Sequence, residues 1–229
     1  MLVTAACTTS NNGAQTQPPK LLLVSIDGFR YDYLSKTETP NFDDFIQNGV
    51  TSEGLIPIVP SKTFPNHYSM VTGLYPENSG LVNNTMYDPE WDKWYRISDR
   101  QAVENGDWYQ GEPIWNTAEK QGITTGTMFW IGSEADIQGM HPTYWKSYDG
   151  SMKDRARIDT VVSWFTKEQN PINSGTLYFE LVDSYGHDYG TTSDSLVTAI
   201  EKSDRLLGYL KQRLQQAGTL GEHEYHRAV

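Results

Sequence analysis

Two apolar runs in this sequence each end abruptly at an aspartate. Leu21–Ile26 is followed by Asp27-Gly28, and a second run over 176–182 is followed by Asp183. A continuous apolar run such as Leu21–Ile26 is typical of a strand buried in a parallel sheet. Ligands of open α/β sheets bind beyond the carboxyl ends of the strands. The sequence therefore predicts a parallel sheet whose functional edge carries both carboxylates.

The rest of the chain alternates between helical and extended patterns, which predicts an α/β fold with a mainly parallel central sheet flanked by helices. The segment 83–111 is rich in Asn, Asp, Trp and Tyr and is interpreted as a long functional loop. A strand over 55–59 is weakened by Pro57, which cannot donate to a sheet. Helices are predicted over 39–49 with Thr39 as the cap, 68–72, 113–121, 153–168 and 193–217, and strands over 21–26, 55–59, 123–130 and 176–182.

Composition narrows the classes of function. With 29 acidic and 18 basic residues the net charge is -11, which argues against binding a nucleic-acid duplex or an anionic membrane through charge. An acidic protein can still bind phosphates if metal ions supply local positive charge. The single cysteine, Cys7, excludes an intrachain disulfide and a cysteine-based zinc site. Metal ligands are therefore expected among Asp, Glu and His.

The two ends of the chain differ from its middle. Met1–Cys7 resembles the end of a bacterial lipoprotein signal, and 8–19 is a polar tether. These features indicate a lipid anchor at Cys7 and a periplasmic or outer-membrane location, with an ordinary N-terminus as the alternative. The expected organisation is a signal remnant and tether over 1–19, one catalytic domain over 20–220 and a frayed tail over 221–229.

Three side chains are candidate metal ligands. His187 follows Asp183 at i+4, a spacing that turns both side chains toward one metal ion if the segment is helical. Asp27 ends the other strand. Thr63 precedes a helix start and could be a metal-activated nucleophile, since a bound metal lowers the pKa of a hydroxyl. The alternatives are capping or turn-forming roles for Asp27, Asp183 and Thr63, and a solvated imidazole for His187.

Several motifs occur in a specific order. They resemble those of the type I phosphodiesterase, or nucleotide pyrophosphatase/phosphodiesterase, family of the alkaline phosphatase superfamily, and the likeness covers essentially everything after residue 20. The motifs lie at 22–30, 39–41, 62–67, 72–76, 83–88, 112–115, 129–134 and 183–187.

The resemblance implies an alkaline-phosphatase-like fold and a two-zinc enzyme that cleaves nucleotide phosphodiester or pyrophosphate bonds through a phosphorylated threonine. By motif, Asp183 and His187 would hold one zinc ion, while Asp27 and Thr63 would contact the other. Asn84 would donate a hydrogen bond to a phosphate oxygen. Phe64 and Tyr148 resemble an aromatic pair that sandwiches a nucleobase, with core or rim packing as the alternative.

The sequence departs from the family pattern at two places. Ile131 replaces a proline of a Phe-Trp-Pro-Gly motif, and no Asp-His-Gly motif follows the last long helix. His223 and His226 could chelate at i, i+3, but a polar end of a chain more often frays. The expected fold is therefore truncated at its C-terminus, with weak metal binding. Alternatives are a phosphomonoesterase, sulfatase or lipid phosphodiesterase of the same superfamily, or a catalytically dead fragment that binds nucleotide or metal.

Overall fold

A four-stranded parallel sheet forms the centre of the molecule. The structure, a computed structural model, describes residues 19–220. Its strands are β1 (Leu21–Ile26), β2 (Thr85–Asp88), β3 (Lys93–Arg96), β4 (Thr125–Met128), β5 (Tyr144–Lys146) and β6 (Ser174–Phe179). The sheet has the order β1-β6-β4-β5 with parallel pairing throughout, and β2 and β3 form a separate antiparallel hairpin.

Eight α-helices surround the sheet within residues 19–220, together with short 3-10 turns. They are α1 (Pro40–Asn48), α2 (Thr63–Thr72), α3 (Pro76–Ser79), α4 (Arg100–Val103), α5 (Ile114–Lys120), α6 (Asp154–Phe165), α7 (Leu181–Tyr189) and α8 (Asp194–Gln216). The long helix α8 packs against α1, α6 and α7. Across this described range, no helix is apolar over a sufficient length to cross a membrane.

The core explains why the apolar runs form strands. Leu177 of β6 and Met128 of β4 are fully buried, and Ile158 and Val161 of α6 belong to the same apolar cluster. A smaller cluster joins Val182 of α7 to the first half of α8. The predicted α/β class with a mainly parallel sheet is therefore confirmed.

Three predicted elements were wrong. Leu55–Val59 is not a strand, because Pro57 interrupts it, the amide of Ile58 donates to the side chain of Asn66, and its apolar side chains are exposed. The segment 83–111 is not one loop, since it contains β2, β3 and α4. The second apolar run leaves the sheet at Phe179, and its last residues begin α7. Asp183 therefore lies in the first turn of a helix and not at a strand end.

Two boundaries also differ from prediction. Helix α2 begins at Thr63 and not at Tyr68, because Pro65 is tolerated in a first turn; Gly73 ends the helix in the left-handed conformation as expected. Thr39 makes no capping hydrogen bond. Instead the carboxylate of Asp204, in α8, accepts the N–H groups of Asn41 and Phe42, each at 2.9 Å.

The predictions for Cys7, for the tether and for the tail with His223 and His226 fall largely outside the described residues.

Candidate active site

Most of the chemically active side chains lie just beyond the carboxyl ends of the sheet strands. Asp27 follows β1, Phe129 follows β4, Tyr148 follows β5 and Glu180 follows β6. Parallel strands bring these ends to one edge of the sheet. The structure places both predicted carboxylates at this edge, Asp27 from the end of a strand and Asp183 from a helix.

The hydroxyl of Thr63 points at the carboxylate of Asp27. Thr63 Oγ1 donates to Asp27 Oδ2 at 2.9 Å, and the hydroxyl of Tyr178 donates to the same oxygen at 2.8 Å. The other oxygen of Asp27 accepts the amide of Gly28 at 2.9 Å. Because Thr63 is the first residue of α2, its hydroxyl lies at the positive end of the helix dipole, where a phosphate is favoured.

The amide of Asn84 has an orientation that its hydrogen bonds determine. The backbone N–H of Phe64 donates to Asn84 Oδ1 at 3.0 Å, so the oxygen side faces α2. Nδ2 is then a free donor, with no partner within residues 19–220. The hydrogen bond from Phe64 therefore fixes the amide of Asn84 and leaves its Nδ2 donor unpaired. A free amide donor beside Thr63 suits contact with an oxygen of a bound phosphate.

Asp183 and His187 share one face of α7. His187 Nε2 lies 3.5 Å from Asp183 Oδ1, so the i+4 spacing behaves as predicted once the segment is helical. Within residues 19–220, no three His, Cys, Asp or Glu side chains converge on a common point. The predicted ligands therefore form pairs, Asp183 with His187 and Asp27 with Thr63.

The two pairs are neighbours because Gly28 contacts the backbone of Asp183. Gly28 has a φ of 67°, and a Cβ at this position would lie 2.7 Å from the Cα of Asp183. The pKa of Asp183 is raised by burial and by the negative charge of Asp27, although His187 opposes the shift. Two carboxylates held this close repel each other, so the site carries excess negative charge.

Phe64 and Tyr148 have different supports. Phe64 packs edge-on against Tyr95 with ring centroids 6.2 Å apart, and Tyr148 packs edge-on against Phe129 at 5.2 Å. Tyr148 is 42% exposed. The two rings do not contact each other.

A buried ion pair supports Tyr148. The guanidinium of Arg157, 1% exposed, donates to Glu180 at 2.5 and 2.8 Å, and the hydroxyl of Tyr148 donates to the same carboxylate at 3.2 Å. Burial opposes ionisation of Glu180, but hydrogen bonds and charge from Arg157 outweigh it and lower its pKa. Arg157 also lies over the ring of Phe129 at 4.9 Å.

Sequence reasoning missed three residues of this region: Tyr178, Glu180 and His67. Tyr178 and Glu180 both lie within the apolar run 176–182, where the sequence pattern indicates a strand and no separate role for either residue. His67 lies four residues after Thr63, the same i+4 spacing as between Asp183 and His187. This spacing is the sequence signal that could have identified it.

Comparison with known proteins identifies the family. The family model described as type I phosphodiesterase / nucleotide pyrophosphatase matches residues 21–223. The chain belongs to this family. Among curated relatives, human (Homo sapiens) ectonucleotide pyrophosphatase/phosphodiesterase family member 1 is 40% identical over 204 residues, which are 87% of this chain and 22% of that protein. Bovine (Bos taurus) bis(5'-adenosyl)-triphosphatase is 38% identical over 209 residues, 90% of this chain and 46% of that protein.

A solved structure agrees with the sequence matches. Murine ectonucleotide pyrophosphatase/phosphodiesterase 5, as an inactive threonine-to-alanine variant in complex with AMP, has a TM-score of 0.85 and 35% identity. The match covers 92% of this chain and 55% of the murine chain. The family predicted from the motifs is therefore confirmed, and this phosphodiesterase-family chain spans about half or less of the length of these relatives.

Proposed function

We propose that this chain hydrolyses phosphodiester or pyrophosphate bonds of nucleotides, with Thr63 as the nucleophile. The observation that carries the proposal is the Thr63 hydroxyl, bonded to Asp27 at a helix N-terminus beside the free amide donor of Asn84. Further support comes from the murine neighbour, which binds AMP and is inactive after a threonine is replaced by alanine.

The donor atoms at this edge suit a divalent cation. Two mutually repelling carboxylates, an imidazole and a hydroxyl are ligand types that zinc accepts. Asp183 with His187 would hold one ion, and Asp27 with Thr63 a second. A cation there would offset phosphate charge and favour ionisation of the hydroxyl. The identity of the metal as zinc and the number of two ions are both part of this proposal.

Side chains of this chain would have separate roles in the hydrolysis. Asp27 orients the Thr63 hydroxyl, whose oxygen attacks phosphorus as the bond to the leaving group breaks and the hydroxyl proton is released. Nδ2 of Asn84 donates to a non-bridging phosphate oxygen, where charge develops. Phe64 and Tyr148 offer ring faces to the base, with stacking that tolerates different bases. Water then hydrolyses the phosphothreonine and restores Thr63.

Hydrolysis of a nitrophenyl ester of a nucleoside monophosphate, with zinc added or chelated, tests the proposal. We expect Thr63→Ala to lower kcat by about 10³-fold or more, as loss of a nucleophile does. Thr72→Ala is the matched control, since Thr72 lies at the other end of α2 and bonds the carbonyl of Tyr68. Equal activity of the Thr63→Ala protein and the wild type would refute the nucleophile. Preference for nitrophenyl phosphate or sulfate would favour the monoesterase or sulfatase alternative.

The lipid anchor at Cys7 and an extracytoplasmic location belong to the same proposal and are supported by Met1–Cys7 alone. Expression of the wild type and of Cys7→Ala in bacteria, followed by membrane fractionation, checks them. A membrane-bound Cys7→Ala protein would contradict the anchor.

A further inference from the structure

The imidazole of His67 joins β1 to the residue that carries the proposed nucleophile. His67 lies in the second turn of α2 and is 4% exposed. Its Nδ1 lies 2.8 Å from the carbonyl oxygen of Thr63, and its Nε2 lies 2.7 Å from the hydroxyl of Ser25 in β1. The ring therefore connects β1 to the N-terminal end of α2.

The two partners determine where the proton sits on the ring. A carbonyl only accepts, so Nδ1 must carry the hydrogen and donate to Thr63. The hydroxyl of Ser25 can donate or accept, so it pairs with Nε2 whether or not that nitrogen carries a hydrogen.

Aromatic neighbours hold the ring in place. Trp130 and Tyr178 pack edge-on against it, with ring centroids 5.4 and 5.1 Å away. The indole N–H of Trp130 also donates to the backbone carbonyl of His67 at 3.1 Å. The imidazole thus has one defined position between Ser25 and Thr63.

Thr63 is consequently attached to β1 twice. Its side chain bonds Asp27, and its backbone carbonyl is joined through His67 to Ser25. Ser25 lies near the end of β1 and Asp27 directly follows the strand, so both attachments hold Thr63 to the carboxyl end of β1. Together they limit the rotation of the first residue of α2 relative to the strand.

We propose that His67 is a positioning residue for Thr63, an imidazole that joins the backbone carbonyl of Thr63 to Ser25 of β1 and thereby aims the Thr63 hydroxyl. This rests on the proposed function, in which Thr63 attacks phosphorus. His67 contacts no substrate in this role, so its loss acts on kcat and leaves KM unchanged. A displacement of the nucleophile by about 1 Å is enough to cost ~10²-fold in rate.

Two near-isosteric variants separate positioning from general packing. In His67→Asn the amide nitrogen stands near the place of Nδ1 and keeps the bond to Thr63. In His67→Gln it stands near the place of Nε2 and keeps only the contact with Ser25. With the nitrophenyl nucleotide ester, we expect kcat to fall about 10-fold in His67→Asn and in Ser25→Ala, which keep the bond to Thr63 but lose its link to β1. We expect a fall of about 10²-fold in His67→Gln, which loses the bond to Thr63 itself, with KM within about twofold throughout.

Equal kcat losses in the Asn and Gln variants that follow their melting temperatures, or a rise in KM, would overturn the positioning role. The imidazole ¹⁵N shifts of the wild-type protein give a second, activity-independent test: a hydrogen on Nδ1 is expected, and a ring protonated at Nε2 alone would overturn the arrangement. If the wild type shows no hydrolysis, the proposed function fails, while the ¹⁵N shifts still decide whether His67 holds Thr63.

Discussion

The Arg157–Glu180 pair makes the stability of this protein depend unequally on its two partners. Glu180→Gln removes the closer counter-charge of the Arg157 guanidinium, which is 1% exposed, and leaves Asp154 at 3.9 Å as its ion-pair partner. Arg157→Met leaves a carboxylate that is 23% exposed and can recover hydration. Removing one member of a buried pair costs roughly 3–5 kcal/mol, because the remaining charge is desolvated and unpaired.

The structure indicates that both substitutions lower the free energy of unfolding by an amount at or below the lower end of that range. After Glu180→Gln, Arg157 keeps hydrogen bonds to the carbonyls of Met152 and Tyr178 at 3.2 and 3.4 Å. We therefore expect a loss of about 3 kcal/mol for Glu180→Gln and about 2 kcal/mol for Arg157→Met. For a domain of this size these correspond to falls in Tm of roughly 6–12 °C and 4–8 °C.

Urea and thermal unfolding at neutral pH measure both values, and the double variant completes a thermodynamic cycle. We expect the double variant to lose less than the sum of the single losses, since no charge is then left unpaired. A larger loss from Arg157→Met than from Glu180→Gln, or losses below about 0.5 kcal/mol in both, would refute the reasoning.

The pH dependence of stability gives a further test of the Arg157–Glu180 pair. The pKa of Glu180 is lowered in the folded protein, so its contribution is present above the unfolded pKa and is lost as pH falls through the folded one. The stability difference between the wild type and Glu180→Gln should therefore be constant near neutrality and shrink below about pH 4.5. A difference that grows toward acid pH would contradict this sign.

Three further substitutions probe the site. Asn84→Asp replaces the free amide donor by a carboxylate, and kcat should fall by about 10²–10³-fold, whereas equal rates would exclude a phosphate contact. Tyr148→Phe keeps the ring but loses the bond to Glu180; KM for a nucleotide should rise about fivefold with kcat little changed, and an unchanged KM would argue against a substrate role. Asp183→Asn removes a carboxyl whose pKa is raised, so its cost to the fold grows as pH rises through that pKa. Without divalent cations Tm should rise by ~2 °C at pH 7, and stabilisation by added zinc should decrease. A lowered Tm without cations would contradict the repulsion between Asp27 and Asp183.

Elements with a strong local pattern could be predicted from sequence. Leu21–Ile26 is a strand with the expected ends, because five apolar residues and Ser25 before Asp-Gly favour a buried strand that stops at a turn. The amphipathic helix predicted over 193–217 is α8 almost to the residue. In both cases the local chemistry and the final packing favour the same structure.

Elements that depend on distant partners could not be predicted. Strand β5 is three residues long and exists through its pairing with β4. The hairpin of β2 and β3 has a four-residue connection without an Asn-Gly or Asp-Gly turn signal. The cap of α1 comes from Asp204, more than 160 residues away along the chain.

The site divides in the same way. Thr63, Asp27, Asp183 and His187 could be named from residue type and motif, and the structure brings them together in pairs. The residues that orient them could not, because the effect of Tyr178 or His67 is visible only when the strand and the helix are packed.

The close approach of Gly28 to Asp183 has a consequence for how this site could change over time. The two candidate ligand pairs meet where Gly28 lies against the Cα and the amide nitrogen of Asp183, and this contact sets their separation. Either carboxylate could therefore be exchanged for another ligand while the other kept its place. A larger residue at position 28 would instead push β1 and α7 apart and disturb both pairs at once. The spacing of the site thus depends on a residue that contributes no functional group, and the groups themselves are free to vary around it.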